Sequence, residues 1–352
     1  MKSLIRIILW PFSALYGTIM RFRNHLYDIG YKKSFRFQSR VISVGNLSVG
    51  GNGKTPMVEL LIRLLIPEHQ VAVLSRGYGR SSSGFKLVTS DHSATDIGDE
   101  PMQLYRKFQP GIVVAVGESR ALAIPSILIE RPEVGVIILD DAFQHRSVEP
   151  QFNILVTDYR RPFFKDHLLP SGTLREPRPG VRRSDVVVVT KCPGGISAGQ
   201  RQDYINQIHK FHQCPVYFTT IKYNPPVHFQ TGQLLEGPAE VLLVTGIARP
   251  ELLVEYVSRR YTLAGHMKFR DHYNFRKKHL TEIIQRFAFL SGSSKIILTT
   301  EKDMVRLLRF KSELQGLPLY YIPIEMSFIE DQNSFNELVL NCIGGANKTN
   351  HS

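Results

Sequence analysis

Residues 41–56 of this 352-residue chain, Val-Ile-Ser-Val-Gly-Asn-Leu-Ser-Val-Gly-Gly-Asn-Gly-Lys-Thr-Pro, constrain its fold more than any other stretch. A β-branched run that reads as a buried strand breaks into glycines and ends in Gly53-Lys54-Thr55. The apolar positions Val58, Leu60, Leu61 and Ile62 then continue with helical spacing. Strand, glycine loop and helix in that order form a phosphate cradle. Small residues let backbone N–H groups converge on phosphates, Lys54 reaches the β- and γ-phosphates, and the Thr55 hydroxyl holds Mg²⁺ at a helix N-terminus. The expectation is a nucleoside triphosphate bound by Ser48, Val49, Gly50, Gly51, Asn52, Gly53, Lys54 and Thr55. Where the general pattern places a glycine five positions before Gly53 this chain has Ser48, and Gly50 and Gly51 supply the flexibility instead.

A phosphate loop calls for a metal partner. Val134-Gly-Val-Ile-Ile-Leu-Asp140-Asp141 is an apolar strand ending in two carboxylates, placed where a parallel strand delivers its C-terminal end to a nucleotide crevice. Alone it would read as an acidic turn. Beside the phosphate loop it points to a Mg²⁺ site formed by Thr55 and one of the two carboxylates, Asp140 or Asp141, directly or through water.

Further strands are expected at 71–75, 112–116, 152–156 and 186–190, alternating with helical stretches, one of them opened by Asp99-Glu100-Pro101. That alternation predicts an α/β fold of the P-loop NTPase type, a mostly parallel sheet flanked by helices. A smaller C-terminal α/β domain begins at 241–246 and continues through strands at 295–299 and 319–324. Between the two, 216–221 and 227–229 flank Asn224-Pro225-Pro226 and read as a two-stranded connector outside the core. The expected organisation is a membrane-associating segment (1–33), a nucleotide-binding domain (34–215), the connector (216–235) and the smaller domain (236–345).

Cys192, Cys214 and Cys342 are scattered without metal-ligand spacing, so neither a zinc site nor a disulfide framework is expected. A formal net charge of +13 calls for an acidic partner: nucleic acid, an anionic membrane or a phosphorylated substrate. Residues 4–20 choose among these. They are apolar apart from Arg6, are broken by Pro11, carry Trp10, Phe12 and Tyr16, and are followed by Arg21, Arg23, Lys32, Lys33, Arg36 and Arg40. Seventeen residues at about 1.5 Å each fall short of a hydrocarbon core of about 30 Å, so the segment is expected to lie on an anionic membrane surface rather than cross it.

An ordered series of strings resembles the tetraacyldisaccharide 4'-kinases, which phosphorylate a lipid A precursor at the cytoplasmic face of the bacterial inner membrane. The series opens with Gly45-Asn46-Leu47 running into Gly50-Gly51-Asn52-Gly53-Lys54-Thr55-Pro56, then Ser75-Arg76-Gly77-Tyr78-Gly79, Gly98-Asp99-Glu100-Pro101 and Gly117-Glu118-Ser119-Arg120. It continues with Asp140-Asp141-Ala142-Phe143-Gln144-His145, Leu169-Pro170-Ser171-Gly172, Leu174-Arg175-Glu176-Pro177, Thr245-Gly246-Ile247-Ala248, Asp271-His272-Tyr273 and Thr300-Glu301-Lys302-Asp303. The resemblance implies transfer of the ATP γ-phosphoryl group to the 4'-hydroxyl of a tetraacylated glucosamine disaccharide 1-phosphate. On that pattern Lys54 and Thr55 serve the phosphates and Mg²⁺, Asp140 and Asp141 sit near the metal, and Asp99 with His272 lies by the attacking hydroxyl. Arg120 and Arg175 map to the site as well, and Glu176 is carried to the metal. Without it, Asp99 reads equally as a helix cap and His272 as a solvated histidine.

Two other classes compete. A regulatory P-loop GTPase or ATPase switch would want a base-reading motif, and Thr190-Lys191-Cys192 approaches one, but Pro193 stands where its aspartate belongs. A nucleic-acid-dependent ATPase would want aromatic residues among its basic ones and has no use for the apolar N-terminus. Nucleic acid is therefore not an expected partner, and no protein partner is inferred. His145-Arg146 and Lys277-Lys278-His279 read as basic surface.

Overall fold

The computed structural model describes the backbone of residues 2–344, His272 and Ser293 excepted, and side chains from Ile7 onward. The chain opens with helix α1 (Lys2–Asp28), then alternates β1 (Arg40–Gly45), α2 (Lys54–Leu65), β2 (Val71–Ser75), β3 (Lys86–Leu87), α3 (Ala94–Ile97), α4 (Asp99–Phe108), β4 (Ile112–Val116) and α5 (Arg120–Glu130). After β5 (Val136–Asp140) and β6 (Phe152–Asp158) come β7 (Val186–Thr190), α6 (Ala198–His209) and β8 (Val216–Tyr223). A second lobe holds β9 (Val227–His228), β10 (Glu240–Thr245), α7 (Glu251–Arg260), β11 (Thr262–Lys268), α8 (Lys277–Ala288), β12 (Lys295–Thr300), α9 (Glu301–Leu307) and β13 (Leu319–Ile322). The last two elements are β14 (Ile324–Phe328) and α10 (Gln332–Gly344).

The larger sheet has nine strands in the order β14-β8-β7-β6-β1-β5-β2-β4-β3, parallel from β8 to β4 with antiparallel edges. The smaller has five, β11-β10-β12-β13-β9, parallel except for β9. Parallel strands are covered on both faces, which is why β2, β4, β5 and β7 are largely runs of buried aliphatic residues rather than alternating patterns, and why β6 is buried along its whole length. Met57, Leu61 and Leu65 of α2 fill one face, Ala123, Ile124 and Ile127 of α5 part of the other. β1 lies between β5 and β6, so the loops after β1 and β5 open side by side at the carboxyl ends of their strands. Gly45 lets them meet there, since a Cβ on it would fall 2.6 Å from that of Phe143.

The two-stranded connector expected at 216–235 does not form. Val216–Tyr223 instead joins the large sheet parallel to β7, while Val227–His228 pairs with β13 in the small one. Nor is 236–345 self-contained. β14 returns to cover the outer edge of β8, and Met326, Phe335, Val339 and Ile343 enter the same core cluster as α2. The physical reason is burial: Tyr217 packs edge-on against Phe328 and Phe335, cover that the chain supplies more than a hundred residues downstream.

Helix α1 lies along the first lobe through polar contacts. The Ser13 hydroxyl donates to Leu168 O (3.2 Å), Tyr16 to Arg175 O (2.6 Å) and Arg23 to Gln144 O (2.7 Å). Arg146 is no solvated surface charge: it donates to Asn24 O and Asp28 Oδ1, both at 2.8 Å, with its guanidinium over Tyr27. The opposite face leaves Ile7, Ile8, Trp10, Phe12, Leu15, Ile19 and Phe22 each more than half exposed. No described helix is long and apolar enough to cross a membrane.

Candidate active site

A cleft of about 600 Å³ lies between the lobes. The first lobe lines it with residues 49–56, Arg76, Glu100, Asp140, Asp141, His145 and Lys191, the second with Ile247, Arg249, Asp271, Glu301 and Lys302 among others.

The loop from Ser48 to Gly53 is shaped from beneath. The Asn52 amide donates to Ser48 Oγ at 2.9 Å and the Asn46 amide to Ser48 O at 2.7 Å. Buried Ser48 is thus a support of the loop. Gly50 (φ 108°) and Gly53 (φ 84°) adopt conformations that favour glycine, and Gly53 leads into α2 without a side-chain cap, which leaves the helix N-terminus to a ligand. Lys54 Nζ lies 3.5 Å from Asn46 Oδ1 and 3.6 Å from Asp141 Oδ1, inside the cleft.

The two aspartates differ sharply. Asp141 sits at φ 50° and takes a two-pronged contact from Arg175, at 2.7 and 3.2 Å. Burial alone would raise its pKa, but Lys54 and Arg175 together outweigh that and hold it down at about 2. Asp140 is 1% exposed and neither carboxylate oxygen has a hydrogen-bond partner. Burial first, then Glu100 and Asp141, pushes its pKa up to about 7. A buried, unpartnered carboxylate beside a phosphate loop is the donor a hard cation requires, so Mg²⁺ fits these residues. Among the described residues no group of three or more His, Cys, Asp or Glu side chains could hold a metal ion. That matches the habit of Mg²⁺, which takes one or two carboxylates and fills its shell with phosphate oxygens and water.

Two expected site residues, Arg120 and Glu176, lie behind the cleft wall. Arg120 is fully buried, with its guanidinium donating to Gly117 O and, at 3.2 Å, to Asp140 O; burial lowers its pKa to about 10. It braces the Asp140 backbone rather than facing the cleft. Glu176, carried to the metal on resemblance, is surrounded by hydrogen-bond donors. Both oxygens accept from Arg183, one also from Gln144 at 2.8 Å and the other from Asn24 of α1 at 3.2 Å. The carboxylate is consumed in seating α1. Asp99 opens α4 and its Oδ2 accepts from Arg306 Nε across the lobe boundary at 2.7 Å. His272 lies outside the described residues, while its neighbour Asp271 lines the cleft.

Sequence reasoning passed over several groups. Glu100 pairs with Lys302 of the second lobe at 3.0 Å; burial would raise its pKa, yet Lys302 and then Lys54 hold it below the usual carboxylate range. Lys107 bridges Glu59 (2.9 Å) and Glu301 (2.8 Å), joining α4 to α2 and α9. His145 faces the cleft, where burial, Arg120 and Arg76 press its pKa to about 4, which keeps it neutral. Only its position after the Asp140-Asp141 strand end could have signalled it.

The family model described as Tetraacyldisaccharide-1-P 4'-kinase matches residues 5–344. The tetraacyldisaccharide 4'-kinase of Flavobacterium psychrophilum is 40% identical over 348 residues, covering 97% of this chain and 98% of the relative. That of Phocaeicola vulgatus is 43% identical over 343 residues, covering 94% and 93%. Among solved structures, LpxK from Aquifex aeolicus, described as an "apo" form in complex with ATP, matches with a TM-score of 0.76 at 29% identity over 96% of this chain and 99% of that one. With matches of this extent over a cleft that pairs a phosphate loop with an unpartnered carboxylate, the chain belongs to the tetraacyldisaccharide 4'-kinase family.

Proposed function

We propose that the cleft is a Mg²⁺-assisted phosphoryl-transfer site working at the cytoplasmic face of the bacterial inner membrane. The reaction is that of the family, ATP-dependent phosphorylation of the 4'-hydroxyl of a lipid A disaccharide precursor. The observation that carries the assignment of roles is Asp140, a buried carboxylate without a hydrogen bond at the strand end facing the phosphate loop.

On this reading the N–H groups at the start of α2 cradle the phosphates and Lys54 follows the γ-phosphoryl charge as it spreads. Mg²⁺ would be held by Thr55 and Asp140, where it neutralises developing charge on the phosphate oxygens. Arg175 fixes Asp141 so that its carboxylate meets Lys54. The acceptor hydroxyl needs a group to take its proton, and Asp99 with His272 is the proposed pair. Arg306 orients Asp99, so the base is set by a residue of the second lobe.

The test is a thin-layer assay of γ-labelled ATP with and without the tetraacylated disaccharide 1-phosphate. Label is expected in the lipid. Release of label to water at the same rate with or without lipid would support a nucleotide switch and sink the reading.

Helix α1 supports the membrane reading through its exposed aliphatic and aromatic face, polar where it meets the body of the protein. Removing residues 1–22 is expected to reduce recovery with membranes and to raise KM for the lipid several-fold more than KM for ATP, measured in mixed micelles. Full sedimentation of the truncated protein with membranes at high salt would defeat this.

A further inference from the structure

Lys191 and Asp141 are non-glycine residues with left-handed backbone, at φ 57° and 50°. Each directly follows the end of a parallel strand, β7 or β5, and each lines the cleft. Such conformations are unfavourable for residues with a side chain and persist where the surroundings hold them in place, often at functional sites. Asp141 is accounted for by Lys54 and Arg175. Lys191 has had no role.

Its ammonium donates to Gly51 O, in the middle of the phosphate loop, and lies 3.4 Å from Asp158 Oδ2. The preceding residue acts alongside it, since Thr190 Oγ1 donates to Asn52 O at 2.8 Å. Two consecutive loop carbonyls are thus drawn toward the end of β7. Because C=O and N–H of one peptide unit point in opposite directions, holding Asn52 O there turns the Gly53 N–H away from β7. Asp158 is 1% exposed at the end of β6, and its second cation comes from the other lobe: Arg249, in the loop after β10, lies 3.2 Å from the same Oδ2. Burial lowers the Lys191 pKa and Asp158 opposes that, as in a desolvated pair that is costly to break.

We propose that Lys191 is a positioning residue for the phosphate loop, and that Asp158, shared between Lys191 and Arg249, ties the shape of that loop to the seating of the second lobe. The inference rests on the reading of the loop as an ATP cradle. It also explains why a strand-end lysine is present without the aspartate of a base-reading motif: its ammonium is directed at the loop backbone and a carboxylate.

The test uses the full chain as Lys191→Met, Lys191→Arg, Arg249→Gln and the Lys191→Met/Arg249→Gln double variant. KM for ATP, kcat and KM for lipid are measured for each, with ADP and adenosine as competing ligands. Lys191→Met is expected to raise KM for ATP by about tenfold or more and to weaken ADP equally, with adenosine affinity and KM for lipid unchanged. Lys191→Arg should recover part of the loss. Arg249→Gln should raise KM for ATP by about threefold, and the double variant should be no worse than Lys191→Met alone, because both changes act through Asp158. Loss of adenosine affinity in Lys191→Met would assign the lysine to the base instead and overturn the proposal, as would unchanged affinity for ATP. Multiplicative effects in the double variant would overturn the link between lobes. Should Lys191→Met fail to fold, Arg249→Gln still decides, since an unchanged KM for ATP there removes the relay. Absence of ATP affinity in the parent protein would instead defeat the functional reading itself.

Discussion

A Lys54→Ala protein is expected to purify as a folded molecule with turnover reduced by about a thousandfold, which corresponds to about 4 kcal/mol of lost transition-state stabilisation. The fold should survive because the side chain makes only long contacts in the cleft, 3.5 Å to Asn46 and 3.6 Å to Asp141. Asp141 keeps Arg175 when Lys54 is gone, so no buried charge is stranded. Turnover should not survive. A phosphoryl group in flight spreads negative charge over its equatorial oxygens, and the ammonium is the mobile cation placed at the loop to meet it. Single-turnover rates with saturating ATP and lipid, beside a thermal melt of each protein, make the measurement. Near-parent rates in a folded variant would remove Lys54 from the mechanism.

The pattern that exposed Lys54 was legible because its elements are local. A buried strand, a glycine loop and an amphipathic helix declare themselves between residues 41 and 62, and β2, β4, β5 and β7 are largely aliphatic runs of the kind a doubly covered parallel sheet requires. What stayed hidden depends on distant partners. The 216–223 segment mixes aromatic, β-branched and polar residues, and nothing nearby reveals that β14 and α10 return to bury it. The partners of Glu176 were hidden for the same reason. The resemblance maps both residues to the site, yet Arg175 turns to Asp141 and Asn46 while Glu176 turns to Arg183, Gln144 and Asn24. Adjacent residues on an irregular segment serve opposite sides of a wall. Arg120 heads a mostly apolar helix, where an arginine is as readily a brace as a clamp.

The second lobe contributes to the site chiefly through charge. Lys302 meets Glu100, Arg306 meets Asp99, Glu301 meets Lys107 and Arg249 meets Asp158. Each pair joins a residue of the first lobe to one of the second, and Glu100, Lys302, Glu301, Asp158 and Arg249 line the cleft. A cleft lined this way is held together by interactions that weaken as water enters, which suits a site that must admit a lipid headgroup and then exclude solvent from the reacting phosphoryl.

Asp140→Asn is expected to separate catalysis from stability in opposite directions. In the nucleotide-free protein the Asp140 carboxylate is buried and without a hydrogen bond, flanked by Glu100 and Asp141, so its ionised form is a standing penalty on the fold. Its pKa of about 7 lies above the ordinary carboxylate value of about 4, so the folded state holds a proton that the unfolded chain releases between those values. Stability therefore falls as pH rises through that window, and the asparagine variant escapes the loss. It should melt at or above the parent temperature at pH 8, with the advantage shrinking toward pH 4, where Asp140 is itself protonated. Activity should move the other way, down by about a hundredfold or more, because a neutral amide is a far poorer partner for a hard cation than a carboxylate. Raising Mg²⁺ should recover part of the rate in Asp140→Asn and none in Lys54→Ala, since only the first change acts through the cation. A melting temperature at pH 8 well below the parent value would show that Asp140 is held by a structural partner, and the assignment of this carboxylate to the metal would fall with it.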